Sequence, residues 1–458
     1  MTNQANKKVA LLRGYPRLID GESTSVEEMY KWGLKNEVDF KAFHLHAPWV
    51  KKHPEYKDGY EHSYKIFNRN MIDEVLEELN SYDLVILINP AKPHSGLKAE
   101  DVVAFHELYC SIEVVKVQMQ HNHFSKAVNE IPFCWSYINE SDACYNLSDG
   151  WFTQEIINKF PSKKDRSGKY HLWVDANKYK EFYKNEDREV NLTYIGRFVL
   201  YKGPRELLNL APAIINSGIK PVIYGMDTSI GCKQHVLSHP NANNLLQLKQ
   251  PRNENPIVDV NGKLEHHEVL ETFNKSMFAS VIIRLKSDKD KNSYGDKLEY
   301  IMQEAIMAGA ILVVNKDWAE NCRTIDGIRY ADIPNFAISM DLEEPSKAIK
   351  EMKRIAADPE LQRLYRDTAF EVLRKQYDSS IVLEELMTKL FSIDKDPYKF
   401  ETMYDLVKFI TKSESKTEEF CKRYEAGDLL PMVPRAMGVD KISEFTGVSG
   451  KAIREITI

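Results

Sequence analysis

Along the chain, short apolar runs alternate with amphipathic stretches. The run KVALLR (Lys8–Arg13) reads as a buried strand, Gly14–Ser25 as a loop holding Gly14 and Gly21, and Val26–Leu34 as the start of a helix. The same order recurs as a helix over Met71–Asn80, a strand over Asp83–Ile88, a helix over Ala99–Cys110 and a strand over Val114–Met119. These strands are too apolar to leave a face in water, which predicts a parallel sheet covered by helices on both sides. After the polar stretch Tyr179–Asn191 the pattern restarts: a strand over Leu192–Ile195, a loop over Gly196–Gly203, and a helix over Pro204–Ser217 with proline in its first turn. Strands over Pro221–Tyr224, Ser280–Arg284 and Ala310–Val314 follow, with helices over His266–Ser276 and Lys297–Ala308. Helices are then expected over Glu343–Ala357, Pro359–Tyr377 and Ser379–Phe391. The expected fold class is α/β: two Rossmann-like, doubly wound domains, 1–178 and 179–394, with a small helical module over 395–458. In such sheets ligands bind beyond the carboxyl ends of the strands, so the loops after Arg13, Ile88 and Met119 are the places to look.

Composition narrows the class. The 458 residues are 43% hydrophobic and 28% charged, as in ordinary globular proteins. No apolar run approaches the ~18 residues of a spanning helix, and the mean hydropathy is -0.45. The start, MTNQANKKVALLRGYPRL, has too short an apolar stretch for a signal peptide, so a cytoplasmic protein is expected. Six cysteines lie far apart without a CxxC spacing, which argues against a zinc knuckle or a disulfide framework. With 62 Lys and Arg against 68 Asp and Glu, the net charge is -6, which excludes a protein that is basic all over but permits a local positive surface.

Two fragments carry candidate chemistry. YIGRFVLYKGPRELL sets Arg197 and Lys202 on a strand-to-helix loop bracketed by Gly196 and Gly203. Two cations beside the N–H groups of a helix start suit a diphosphate, although an ordinary basic surface loop would have the same spacing. DKLEYIMQEAIMAGAILVVNK carries Glu299 and Glu304 on a helix that ends in Gly309 and a buried strand. Carboxylates there can accept hydrogen bonds from ribose hydroxyls, or simply be solvated helix positions.

Together these fragments resemble the nucleotide-sugar half of the GT-B glycosyltransferases, and their order resembles the DNA alpha-glucosyltransferases of T-even phages. Similar stretches include VVKVQMQHNHF around His121, EVLETFNKSMFASVIIRL, and LEYIMQEAIMAGAILVVNKDWAEN, and the likeness runs from about residue 8 to 392. It implies a GT-B enzyme whose two domains face a cleft. Residues 1–178 would take the acceptor, DNA, and 179–394 the nucleotide sugar. It implies transfer of a sugar from a UDP-sugar to a hydroxylated or hydroxymethylated cytosine in duplex DNA, with retention, no essential cofactor or metal, and a monomeric enzyme. Glucose is the default sugar, with arabinose left open.

By the same resemblance Arg197, Lys202, Glu304, Glu299 and Gly21 belong to the donor site. Asp296 stands eight positions before Glu304, where many members have a glutamate. His121 and Asn122 are the catalytic candidates: the family motif reads His-Asp-His, and Asn122 cannot take a proton. His121-Asn122-His123 also has the look of a metal pair, but the sequence places no third ligand nearby, and two loop histidines packing a sheet edge would read alike.

The loops HAPWVKKHPEYK, with Lys51 and Lys52, and PSKKDRSGKYH, with Lys163 and Lys164, interleave cations with aromatics as a phosphate-tracking surface would, or as a solvated face would. The tail stretch KISEFTGVSGKAIREI has helix-turn-helix spacing that would turn Lys451 and Arg454 toward a duplex; a small helical cap has the same pattern. The other readings are a GT-B enzyme acting on an envelope saccharide or lipid, and a non-catalytic DNA-binding relic.

Overall fold

A computed structural model describes residues 6–14, 21–46, 64–88, 90, 97–120, 132–147, 150–177, 183, 186–199, 202–226, 236–243, 257–283, 298–324, 326–400 and 402–425. The chain divides into two compact units, Met1–Trp173 with Val382–Ile458, and Val174–Ile381.

The first unit holds β1 (Lys8–Arg13), β2 (Asp39–Leu45), β3 (Tyr64–Phe67), β4 (Leu84–Ile88), β5 (Val115–Gln120), β6 (Ala143–Asn146) and β7 (Ser167–Lys169) in the order β3-β2-β1-β4-β5-β6-β7. The second holds β8 (Glu189–Arg197), β9 (Lys220–Met226), β10 (Ala242–Asn243), β11 (Val258–Asn261), β12 (Ser276–Val281), β13 (Ile311–Asn315) and β14 (Ile338–Met340) in the order β10-β11-β9-β8-β12-β13-β14. Every pair of neighbouring strands in both sheets is parallel. Each sheet is built outward from its first strand, so the chain reverses direction of winding between β1 and β4 and between β8 and β12. Those two switch points are where an open sheet of this kind leaves a crevice.

Burial follows the apolar runs. All five residues of β4 and of β13, and all six of β12, are buried, as expected of parallel strands with helices on both faces. The second unit packs two clusters on its sheet: Leu192, Tyr194, Ile223, Phe278 and Ile311 lie in one, and Ala279, Leu312, Val314 and Trp318 in the other.

Three differences from the sequence expectations matter. The strand expected over Ser280–Arg284 is β12, four residues earlier, with Phe278 between Leu192 and Ile311; Ile282 and Ile283 are buried beyond its end. The first helix begins at Gly21 rather than Val26, so Gly21 opens a helix instead of sitting in a loop. The described part of the tail does not stand apart: helices Met403–Thr411 and Glu414–Glu425 put Leu406, Val407 and Phe420 into the first unit's core beside Phe105, Trp135 and Tyr137. The stretch leading to them is fastened there too. The backbone N–H of Asp396 donates to Asp142 at 2.9 Å, and that of Phe400 to the Asn139 side chain at 2.9 Å.

Candidate functional site

The site builds from the carboxyl end of β8. The strand's apolar positions Leu192 and Tyr194 anchor it in the core, and its last residue, Arg197, emerges exposed. Just past Arg197 the backbone is held by its own sequence. The Tyr194 hydroxyl donates to the Arg197 carbonyl at 2.7 Å, the Val199 N–H donates to the same carbonyl at 2.8 Å, and the Lys202 N–H donates to the Val199 carbonyl at 3.0 Å. Phe198 is buried with its ring against Gly225 of β9, where an added Cβ would stand 1.7 Å from the ring carbon Cζ.

Gly203 then makes the turn into the helix Pro204–Asn216. Its φ of 82° lies in the left-handed region, and a Cβ there would come within 2.0 Å of the Ile282 carbonyl oxygen at the exit of β12. Only glycine fits both conditions. The consequence is that the exits of β8 and β12, the two sides of the switch point, meet at Gly203, with Lys202 immediately before it.

Glu299 comes from the other side of this crevice. It occupies the N-cap position of the helix Tyr300–Met307 with extended backbone (φ -63°, ψ 155°), its carbonyl accepting from Met302 and Gln303, while its side chain does not cap the helix. The carboxylate instead accepts from the Lys202 ammonium, an ion pair in which the two side chains are 17% and 13% exposed. Gln303 is fully buried and donates to the Leu298 carbonyl at 2.7 Å, which steadies the segment that presents Glu299. Glu304 lies half-buried further along the helix. At the far end Gly309 takes φ 77° and Arg188 donates to the Ala308 carbonyl at 2.8 Å and the Phe273 carbonyl at 3.1 Å. Burial, with Arg366 nearby, pushes the Arg188 guanidinium down to about 10.

The arrangement places a lysine, a second cation and a helix N-terminus at one switch point, which is the equipment for a diphosphate. Lys202 and Glu299, 97 residues apart in sequence, are brought into contact, and Arg197 and Glu304 lie on the same two segments. Arg188, Tyr194 and Phe198 escaped the sequence reading. The doublet Gly203-Pro204 was the one local signal of the turn, whereas nothing in EDREVN marks Arg188 as the residue that closes a distant helix.

Other expected site residues fare differently. Lys163 is a correction: it is completely buried, its ammonium donating to Asp396 at 2.8 Å and to the Ser141 carbonyl at 2.6 Å, so it holds the return stretch of the chain rather than tracking phosphates. Burial pushes the Asp396 carboxyl up, but the hydrogen bond from Lys163 and that from the Tyr398 N–H outweigh it, and the net shift is downward. Lys164, next to it, is exposed. His121, Asn122, Asp296, Lys51, Lys52, Lys451 and Arg454 lie outside the described residues. Among the described residues no group of three His, Cys, Asp or Glu could hold a metal ion, and no helix is long and apolar enough to cross a membrane.

No protein-family model and no curated protein sequence matches the chain. Solved structures do. An alpha-glucosyltransferase in complex with UDP and a 13-mer DNA containing a central A:G mismatch superposes with a TM-score of 0.67 at 18% identity, covering 84% of this chain and 99% of that one. A glycosyltransferase from Rickettsia africae gives 0.59 at 10% identity, covering 85% and 99%. Anabaena Alr3699/HepE in complex with UDP-glucose gives 0.54 at 11% identity, covering 84% and 99%. Two seven-stranded parallel sheets, matched over nearly the whole length of these enzymes, give the chain the fold of the GT-B glycosyltransferases.

Proposed function

We propose that the protein is a retaining glycosyltransferase that moves a sugar from a UDP-sugar to the hydroxyl of a 5-hydroxymethylated cytosine in duplex DNA. The observation that carries the reading is the Lys202–Glu299 pair at the β8/β12 switch point, in a chain whose fold matches enzymes solved with UDP and DNA.

In this reading the second unit takes the donor. Arg197 and Lys202 neutralise the diphosphate as the sugar–phosphate bond breaks, an interaction that strengthens as negative charge collects on the leaving oxygen. Glu304 accepts from the ribose hydroxyls. The first unit takes the DNA. The hydroxyl oxygen forms the new bond to the sugar's anomeric carbon on the face the phosphate leaves. Its proton passes to a leaving phosphate oxygen, because Asn122 offers no basic group. His121 orients the sugar or the acceptor.

The test is incubation with hydroxymethylcytosine duplex DNA and a panel of UDP-sugars, followed by nucleoside mass spectrometry. One donor, with glucose the expected one, should add a single sugar mass to the modified cytosine. If every donor leaves the DNA unmodified while a saccharide or lipid acceptor gains sugar, the DNA reading falls and the envelope reading replaces it. An His121→Ala enzyme with normal turnover at saturating substrates would remove His121 from the mechanism.

A further inference from the structure

The first unit carries a groove of about 740 Å³ where the end of the helix Gly150–Lys159, the turn Pro161–Arg166 and the stretch Pro397–Phe400 meet Phe409. Its volume is that of a pocket for a nucleotide-sized ligand. A run of aromatic rings leads out of the core into it: Trp135 lies 6.1 Å from Phe160, Phe160 6.3 Å from Phe400, and Phe400 5.0 Å from Phe409. The last ring is left 42% exposed, and Tyr398 on the groove wall is 72% exposed. Two large rings turned to solvent around one concavity are unlike the single scattered apolar residues of an ordinary surface.

Among the residues that line the groove the charged ones are both lysines. Lys159 lines it, with its ammonium 5.2 Å from the centre of the Trp135 ring. Lys399 also lines it, but its ammonium is taken by the Glu140 carbonyl at 2.6 Å and the Asp142 carboxylate at 3.3 Å, which leaves Lys159 as the lining cation for a ligand. No Asp or Glu is among the lining residues; on the adjoining turn Lys164 and Asp165 are both exposed. Flat faces for stacking, with a cation beside them and no lining carboxylate to repel phosphate, match a base and its phosphate.

We infer that this groove binds a single-stranded stretch of DNA, with bases stacked on Tyr398 and Phe409 and the backbone phosphate beside Lys159. The inference rests on DNA as the acceptor, and it adds a strand-holding site on the first unit, which would grip an unpaired end or gap in the acceptor DNA.

The experiment measures binding of a short fluorescent oligothymidine to the full-length protein by anisotropy, together with sugar transfer to a hydroxymethylcytosine duplex with and without a single-stranded overhang. Tyr398→Ala and Phe409→Ala should each weaken oligonucleotide binding about tenfold, and Lys159→Met should weaken it and lower the salt dependence by about one phosphate contact. The overhang's advantage in transfer should vanish in all three, and UDP binding should stay unchanged. Because Tyr398 is so exposed, its variant keeps the test valid even if Phe409→Ala disturbs packing on Phe400. Unchanged oligonucleotide affinity in Tyr398→Ala and Lys159→Met would overturn the groove site. So would a wild-type dimer that both variants dissociate, since a second copy would then be the occupant. Transfer to duplex with groove-independent binding would overturn this inference alone, whereas groove-dependent binding with no transfer to any DNA would overturn the acceptor reading alone.

Discussion

Two lysines that look alike in sequence, Lys163 and Lys202, end in opposite situations. Each follows a stretch that promises an anion contact, and each is paired with a carboxylate far along the chain, Asp396 for Lys163 and Glu299 for Lys202. The first pair is 0% exposed on both sides, while the second keeps 17% and 13% of its side chains in contact with solvent at the end of a sheet. A fully buried ammonium cannot reach a ligand, and removing either member leaves an uncompensated charge in the interior. A lysine that keeps some contact with solvent at a strand exit can still meet a phosphate. Burial and chain topology, more than residue type, separate the charge that fastens the fold from the charge that we propose meets the substrate.

That contrast can be broken most sharply by paired substitutions. Lys163→Met should destabilise the protein by about 3–5 kcal/mol, and Lys163→Met with Asp396→Leu should recover much of the loss because both charges then leave the interior. Chemical denaturation reads both; an additive double variant would show that the pair is not what holds the return stretch. Lys202→Met should cost less stability than Lys163→Met, because Glu299 keeps some contact with solvent, yet lower sugar transfer about a hundredfold, as does loss of a group that stabilises the leaving charge. Arg197→Ala, at an exposed position, should behave the same way.

A smaller effect is expected where backbone rather than charge sets the site. Gly203→Ala should cost about 2 kcal/mol or more, from the left-handed backbone and the collision with the Ile282 carbonyl, and donor binding should weaken with it. Equal stability and equal UDP affinity in this variant would mean that the junction of β8 and β12 tolerates movement.

The smallest effect per group is on pH dependence. Burial, with the charge of Lys116 second, pushes the His106 imidazole down to about 3, and burial, with Lys169 second, does the same to His171. The unfolded chain binds these protons near pH 6.5 and the folded one does not, so stability is complete above about 6.5 and declines as pH falls toward about 3. At pH 5 the loss is roughly 2 kcal/mol for each imidazole. A denaturation midpoint that stays flat between pH 7 and 5 would contradict this.

Legibility in the sequence tracked how locally each feature is determined. Strands buried throughout, such as β4 and β13, announce themselves as apolar runs. The strands β2, β3, β6, β7, β10, β11 and β14 went unmarked: DFKAFHL, YKIF and VDVN mix charges with apolar residues, and ACYN, SGK, AN and ISM are too short to show a period. The shift of β12 has a similar cause, since in SMFASVIIR the whole run is buried and only pairing with β8 and β13 decides which part is strand. At the site, Arg197, Lys202 and Gly203 were visible because loop, cations and proline are consecutive. The partnership of Lys202 with Glu299 was not, being made by the parallel crossing of two strands whose loops are 97 residues apart. Lys163 misled for the same reason: its partner, Asp396, arrives 233 residues later.

The central proposal is that Lys202, not Lys163, serves the transfer of sugar to modified DNA. It is tested most directly by timing the reaction of hydroxymethylcytosine duplex with UDP-glucose for the wild type and Lys202→Met at equal folded concentration. The account predicts a glucosylated nucleoside with the wild type and about a hundredfold slower appearance with the variant. No glucosylated nucleoside with the wild type, or an undiminished rate with Lys202→Met, would contradict it.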